Sequence, residues 1–213
     1  MPRNEIGRWL MLKILGKASS INVRKVVWTC DEIGRPFVLE EPALGSAEFC
    51  ALNPNGLMPV IVDGDFVLWE SNTIIRYLAN DASAVNLLPT DARARASVET
   101  WIDWQATEFN TAWRYAFQAL VRKSPAHQTK ANIEASVRDW TKAVAIVEGQ
   151  LSRSGGFIAG PAFTLADVPI GLSINRWFMT PIEDRPGFAA VDAYYDRLSK
   201  RPGFMRHGRN GIP

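Results

Sequence analysis

The sequence predicts an α/β domain followed by an all-helical one, and three observations carry that prediction. Short strand-like runs alternate with helical patterns over the first 80 or so residues. From Asp91 onward strand signals vanish and long helical patterns take over. Between the two, around 84–90, Asn86-Leu87-Leu88-Pro89 makes an interdomain link.

Taken in order, Leu12–Leu15 is an apolar run of strand length, and Gly16-Lys17-Ala18-Ser19-Ser20 follows as a loop of small residues. Val23, Val26, Val27, Cys30 and Ile33 then recur on one helix face, Gly34 sits where a left-handed cap belongs, and Pro36 forbids continuation. Phe37-Val38-Leu39-Glu40 is a second strand, expected parallel to the first through a right-handed crossover. A polar stretch, helical or irregular, runs to Leu52, and the turn cluster Asn53-Pro54-Asn55-Gly56 follows. Pro59-Val60-Ile61-Val62 and Phe66-Val67-Leu68-Trp69 flank Asp63-Gly64-Asp65, a hairpin signal. Ser71 opens a helix with Ile74, Ile75 and Leu78 facing inward.

Helices are expected at roughly 91–122, 129–152, 164–180 and 188–200. The third begins with Thr164 as N-cap and Asp167 three residues on, each side chain closing an amide of the other, with Phe163 and Val168 as a hydrophobic staple. Pro169 in the next turn should bend that helix slightly. Arg201, Arg206, His207 and Arg209 read as a solvated tail, and residues 1–10 as an accessory or floppy extension before a fold starting at Met11.

Composition narrows the function classes. The 213 residues are 47% hydrophobic and 22% charged, which excludes disorder, collagen and coiled coil. With 24 basic against 22 acidic side chains the net charge is +2, too balanced for a broad nucleic-acid footprint. No run approaches the length of a membrane span, and no cleavable leader is visible. Two cysteines, Cys30 and Cys50, make no disulfide framework and suit a reduced cytoplasm; both read as packing residues. Phosphate-binding glycine loops are missing, Cys-x-x-Cys is missing, and His127 and His207 stand too far apart in sequence for a zinc motif, so no metal is expected.

What remains is a constellation on the α/β layer: Ser19-Ser20-Ile21-Asn22-Val23-Arg24-Lys25, then Asn53-Pro54-Asn55-Gly56-Leu57-Met58-Pro59-Val60, then Trp69-Glu70-Ser71-Asn72-Thr73-Ile74, and Thr164 with Asp167 in the helical half. In order and spacing these resemble the cytosolic glutathione S-transferases, in particular bacterial theta-like members with a serine, and the resemblance spans the chain from Met11. It implies a thioredoxin-like domain over 11–83, a linker over 84–90 and an all-helical domain over 91–213. It further implies a homodimer with a detoxifying role, glutathione bound on the first domain as co-substrate, and an apolar electrophile bound between the two.

The residues agree with that chemistry. The γ-glutamyl end of glutathione carries an ammonium and a carboxylate side by side, so Glu70 can take the first and the Ser71 hydroxyl and N–H at a helix start the second. The resemblance implies a cis bond between Met58 and Pro59, with the main chain of Met58 turned toward the peptide's cysteine. A free thiol, of pKa near 8.5, is mostly protonated at pH 7, so catalysis needs a donor that holds the thiolate. Ser20 at the start of the first helix supplies a hydroxyl and a favourable dipole, Ser19 is the alternative, and Asn22 is a second donor. Ser20 with Asn22 also resembles relatives that reduce disulfides with glutathione. Many relatives carry a base where Leu57 stands, to pair with the glycine carboxylate; here Lys17, Lys25 or another base must replace it, or affinity falls. That departure leaves a non-catalytic binding or scaffold module as a third reading. Among the eight tryptophans, Trp104 and Trp113 are put forward for the electrophile pocket, with Trp101, Phe109, Trp177 and Phe178 around them.

Overall fold

The computed structural model describes residues 11–213, so the expectation for residues 1–10 lies outside the described residues. The chain divides into two compact units, the first ending at Pro89 and the second running from Thr90 to Pro213.

The first unit is a four-stranded mixed sheet with helices. Its elements are β1 (Leu12–Leu15), α1 (Ile21–Ile33), β2 (Phe37–Glu40), α2 (Ala47–Leu52), β3 (Val60–Asp63), β4 (Phe66–Trp69) and α3 (Ser71–Asp81). Strand order is β2-β1-β3-β4, with β1 parallel to β2 and antiparallel to β3, and β3 antiparallel to β4. Gly34 ends α1 with φ 66°, the left-handed cap the sequence implies.

Strand alternation sorts the core. Leu15, Val60, Val62, Val67 and Trp69 share a cluster with Phe49 and Leu52 of α2 and with Met58. Residues one position out of phase, Ile14, Ile61 and Asp63 among them, belong to the opposite face. Asp63 is fully buried: Arg35 Nη2 donates to its Oδ1 at 2.7 Å and the Tyr77 hydroxyl to its Oδ2 at 2.9 Å. Burial, reinforced by that carboxylate, pushes the Tyr77 hydroxyl well above the ordinary tyrosine range. The acid read as a turn residue is therefore an internal anchor, because its partner comes from the loop after α1.

The second unit is helical: α4 (Ala92–Trp104), α5 (Asn110–Leu120), α6 (Lys130–Ser154), α7 (Asp167–Met179), α8 (Ala189–Leu198) and α9 (Pro202–His207). Where one helix was expected over 91–122, a π-turn at Gln105–Phe109 separates α4 from α5. Its anchor is long-range, since the buried Gln105 donates through Nε2 to Ser173 Oγ on α7 at 2.9 Å. From Asp167 to Trp177 every residue of α7 is buried, the polar Asp167, Ser173, Asn175 and Arg176 among them. The Arg176 guanidinium lies over the rings of Phe117 (3.8 Å) and Trp113 (4.4 Å).

Two expectations for α7 need correcting. Thr164 does not cap the helix with its hydroxyl; α7 starts at Asp167, whose carboxylate accepts from Thr164 N (2.8 Å), Thr164 Oγ1 (3.3 Å), Ile158 N (2.9 Å) and the Tyr194 hydroxyl (2.9 Å). Only the acid's half of the reciprocal box is made. Pro169 is thereby the third helical residue, where an N–H has no intrahelical partner, so it costs no helical bond and the reason for a bend lapses. Of the basic residues read as a solvated tail, Arg206 and Arg209 are exposed, whereas Arg201 is half-buried 3.8 Å over the Phe163 ring and the segment itself is anchored by the fully buried Phe204 of α9.

Burial outweighs the four donors and raises the Asp167 carboxyl from 3.8 to about 6. The folded state therefore holds this proton where the unfolded chain has released it, and stability falls as pH rises from about 4 to about 6. In an Asp167→Asn variant that segment of the stability-against-pH curve should flatten, the difference between the two proteins changing by roughly 3 kcal/mol across the window. Parallel curves from thermal melts at pH 4, 5, 6 and 7 would exclude the effect.

Candidate active site

The sheet register brings three loops to one end of the first unit. Leu15 pairs with Val60 and Val60 with Trp69, so the residues after β1, before β3 and after β4 leave the sheet side by side. They are Gly16–Ser20, Met58-Pro59 and Glu70-Ser71. Leu15 also pairs with Glu40, which sets the end of β2 beside them.

The β1–α1 loop lies close on its own helix. A Cβ on Gly16 would meet Val23 Cγ2 at 2.4 Å, so only glycine lets the chain pass there. Ser20 is the N-cap of α1 with φ −77° and ψ 125°; its N–H donates to Lys17 O and its C=O accepts from Arg24 N, both at 2.9 Å. Its hydroxyl makes no capping bond, which leaves that oxygen available to another partner. Ser20 is half-buried at the start of a 13-residue helix, whereas Ser19 is exposed in the loop before it. Asn22, also half-buried, follows one residue into α1.

The second loop is shaped by Asn53. Its Nδ2 donates to Leu57 O at 2.7 Å and its Oδ1 accepts from Asn55 N at 3.0 Å, while Gly56 supplies the left-handed φ of 60°. The Met58–Pro59 peptide is cis. Met58 lies just outside the β1–β3 ladder, which ends at the Leu15–Val60 pair. Its Sδ accepts from the Lys17 N–H at 3.2 Å, tying this loop to the first.

The third loop turns within one residue. Glu70 links β4 to α3 with φ 71° and ψ 106°, a conformation unusual for a side chain of its size. The turn leaves Glu70 exposed and Ser71 buried as the first residue of α3. Nothing in the sequence signals this backbone, since Glu70 stands where a glycine would be the ordinary choice.

The bases weighed for Leu57's position part company. Leu57 is 66% exposed. Lys25 is buried and its Nζ donates to Asn72 Oδ1 at 3.1 Å. Lys17 stands in the β1–α1 loop with Nζ 2.7 Å from Glu41 Oε1. The two cysteines differ: Cys30 is fully buried near the end of α1, where burial lifts its thiol to about 12, whereas Cys50 is half-buried in α2, its Sγ 3.5 Å from where a Cβ on Gly56 of the second loop would stand.

The tryptophans put forward for the electrophile pocket belong to the second unit. Trp104 closes α4 half-buried, its ring edge-on to Trp101 at 5.3 Å and tilted against Phe109 at 5.1 Å. Trp113 is 5% exposed and packs against Arg176, Phe117 and Trp140, which makes it a core side chain. Trp177 and Phe109 are buried as well. Among the described residues no group of three His, Cys, Asp or Glu side chains could hold a metal, and no helix is long and apolar enough to cross a membrane.

Comparison with known proteins adds two family matches: the N-terminal domain of glutathione S-transferases over residues 11–80 and the C-terminal domain over residues 110–202. Glutathione S-transferase GstB of Escherichia coli K12 is 32% identical over 203 residues, covering 92% of this chain and 97% of that protein. Glutathione S-transferase 3 of Zea mays is 33% identical over 208 residues, covering 92% of each. The crystal structure of the theta class enzyme from Xanthomonas axonopodis pv. citri with glutathione bound superposes with a TM-score of 0.86 at 34% identity, over 92% of this chain and 96% of that one.

Proposed function

The chain belongs to the glutathione S-transferase family, and from that premise we propose that it activates the thiol of glutathione at the sheet end of its first unit and directs it at an apolar electrophilic carbon. The observation that carries this reading is the register Leu15–Val60–Trp69, which sets an uncommitted hydroxyl, a main-chain turn and an acid next to a helix start on one rim.

In this reading the γ-glutamyl carboxylate lies at the first turn of α3, against the Ser71 N–H and hydroxyl, and its ammonium against Glu70. The main chain of Met58, turned at Pro59, pairs with that of the ligand's cysteine. The Ser20 hydroxyl then donates to the sulfur, the α1 dipole adds to its field, and Asn22 is the second donor. Held as a thiolate, the sulfur forms a bond to carbon, the leaving group departs with its electron pair, and the thiol proton goes to solvent. Trp104 offers aromatic surface to the electrophile; the packing of Trp113 argues for a structural role instead.

Transfer is favoured over disulfide reduction by the relatives, which are named glutathione S-transferases. A glutathione thiolate held by Ser20 could attack either an electrophilic carbon or a disulfide sulfur, so the substrate separates the two readings. Turnover of a chloronitrobenzene against hydroxyethyl disulfide separates the two activities. A cytoplasmic location and a homodimer complete the proposal: both cysteines are free, and Phe66 on edge strand β4 is 45% exposed, apolar surface available to a second copy. Sedimentation velocity reads that state directly.

Glu70→Ala tests the head-group assignment. A charge-assisted bond contributes about 1.5–3 kcal/mol, so the variant should bind glutathione at least about tenfold more weakly in calorimetry while keeping most of its saturated rate. Wild-type affinity in this variant would move the ammonium's partner elsewhere.

A further inference from the structure

In the second unit the end of α5, the first turns of α6 and the loop after α7 border an open groove of about 480 Å³, a size that suits a small molecule. Its floor is apolar: Leu120 of α5, Ile133 and Val137 of α6, and Pro181 and Ile182 of the loop. Lys130, Ile133, Glu134, Val137 and Arg138 follow the spacing of one helix face. Ser136 and Trp140 on the adjoining face are buried, whereas Ile133 and Val137 are only half-buried, so the apolar stripe of α6 runs one row past the part its neighbours cover. The groove is separate from the surface proposed for the electrophile: Leu120 stands sixteen residues beyond Trp104, about 24 Å along the α4–α5 axis at about 1.5 Å per residue.

The charges on its rim fall into two sorts. Lys130 and Glu134 face each other at 3.9 Å with side chains 90% and 53% exposed, a weak pair. Arg138, from α6, and Glu183, from the loop after α7, also line the groove, and neither has an ion-pair or hydrogen-bond partner among the described residues. The loop that carries Glu183 is held in shape: Thr180 O accepts from Ile182 N at 2.9 Å and from Arg185 Nη2, and Asp184, next to Glu183, has a left-handed φ of 49°. Opposite charges that share a groove without joining each other complement a ligand that carries both signs. A simple anion would lie beside Glu183 and a simple cation beside Arg138, each a like-charge contact.

We propose that this groove binds an amphipathic zwitterion, with the apolar body on Ile133, Val137 and Ile182, the carboxylate at Arg138 and the ammonium at Glu183. Two sources share that chemistry. One is a free apolar amino acid; the other, which rests on the glutathione reading above, is the S-alkyl product of the transfer reaction, whose γ-glutamyl head carries both charges on an apolar group's peptide. In the second case the groove is a site where the product is held away from the chemistry that made it.

The test titrates the full-length protein with α-aminooctanoate, which has an apolar chain, an ammonium and a carboxylate, and with octanoate, which lacks the ammonium. Calorimetry should show the amino acid at a single site per chain, bound about fivefold or more tightly than octanoate. Glu183→Ala should erase that preference by weakening the amino acid alone, Arg138→Ala should weaken both ligands, and Val137→Asp, which charges the floor, should abolish both. Turnover of a chloronitrobenzene should stay at the wild-type rate in Arg138→Ala and Glu183→Ala. Octanoate bound as tightly as the amino acid, a preference that survives Glu183→Ala, or displacement of the amino acid by glutathione overturns the proposal. S-hexylglutathione then separates the sources: two sites per chain, the first weakened by Glu70→Ala and the second by Val137→Asp, assign the groove to the conjugate, whereas one site weakened by Glu70→Ala alone assigns it to a free amino acid. Failure of the glutathione reading leaves the first titration intact, because that titration uses neither the peptide nor the rim of the first unit. Arg138 and Glu183 are exposed, so circular dichroism of their variants matching the wild type is expected and the test stands even where Val137→Asp does not fold.

Discussion

Replacing Ser20 by alanine is expected to lower kcat for thiol transfer about 100-fold while changing the affinity for glutathione little. One preorganised donor to a developing or resident anion contributes about 10²–10³ in rate. The hydroxyl at the start of α1 makes no capping bond, so its removal takes nothing from the helix. The sign of the pH effect follows. Without the donor the bound thiol returns toward its free pKa near 8.5, so the variant's rate should climb through a higher pH range than the wild type's and recover part of the loss in alkali. The ultraviolet absorbance of the thiolate, titrated in the binary complex, gives the same answer without turnover. An unshifted titration would assign the anion to another donor, with Ser19→Ala and Asn22→Ala the next variants to measure.

Arg35→Ala is expected to destabilise the protein by about 3–5 kcal/mol, the largest stability effect proposed for any single side chain here. The Arg35 and Asp63 side chains are 2% and 0% exposed, so deleting the guanidinium leaves a carboxylate in the core with the Tyr77 hydroxyl as its remaining close donor. The double variant Arg35→Met with Asp63→Leu should recover much of the loss, because the cost lies in the uncompensated charge more than in the missing attraction. Urea denaturation of the three proteins measures both quantities. A single-variant loss under about 1 kcal/mol would mean that water reaches Asp63 once Arg35 is gone.

The first unit was legible because its signals are local. The change of period at Gly16–Val23, the stop at Gly34 and Pro36 and the Asp63-Gly64 hairpin each act within a few residues, and the strands follow. The features that escaped depend on distant partners. Asp63 reads as a turn acid until Arg35, 28 positions away, is seen beside it. The π-turn rests on Gln105 reaching Ser173, 68 positions on. Thr164 and Asp167 were recognisable as a motif, yet the acid's further partners, Ile158 and Tyr194, redirect it from helix start to internal junction.

The same division holds for the candidate site. Ser20, Met58, Pro59, Glu70 and Ser71 come to one rim because antiparallel and parallel pairing of four short strands leaves their loops no other end. The tryptophans could not be sorted that way: helical spacing places Trp104 and Trp113 inward without distinguishing a ligand wall from a core, and Trp113 lies under Arg176. The positive φ of Glu70 had no sequence signal at all.

One buried hydrogen bond, from the Lys25 ammonium to Asn72, joins α1 near its start to α3 near its start. Those two helix beginnings carry Ser20 and Ser71, the proposed contacts for the sulfur and for the far carboxylate of the same small molecule. The bond thus works as the rivet of a caliper whose jaws are set to a length before anything is measured. A peptide that fits that gap binds without the chain having to give up freedom to grip it.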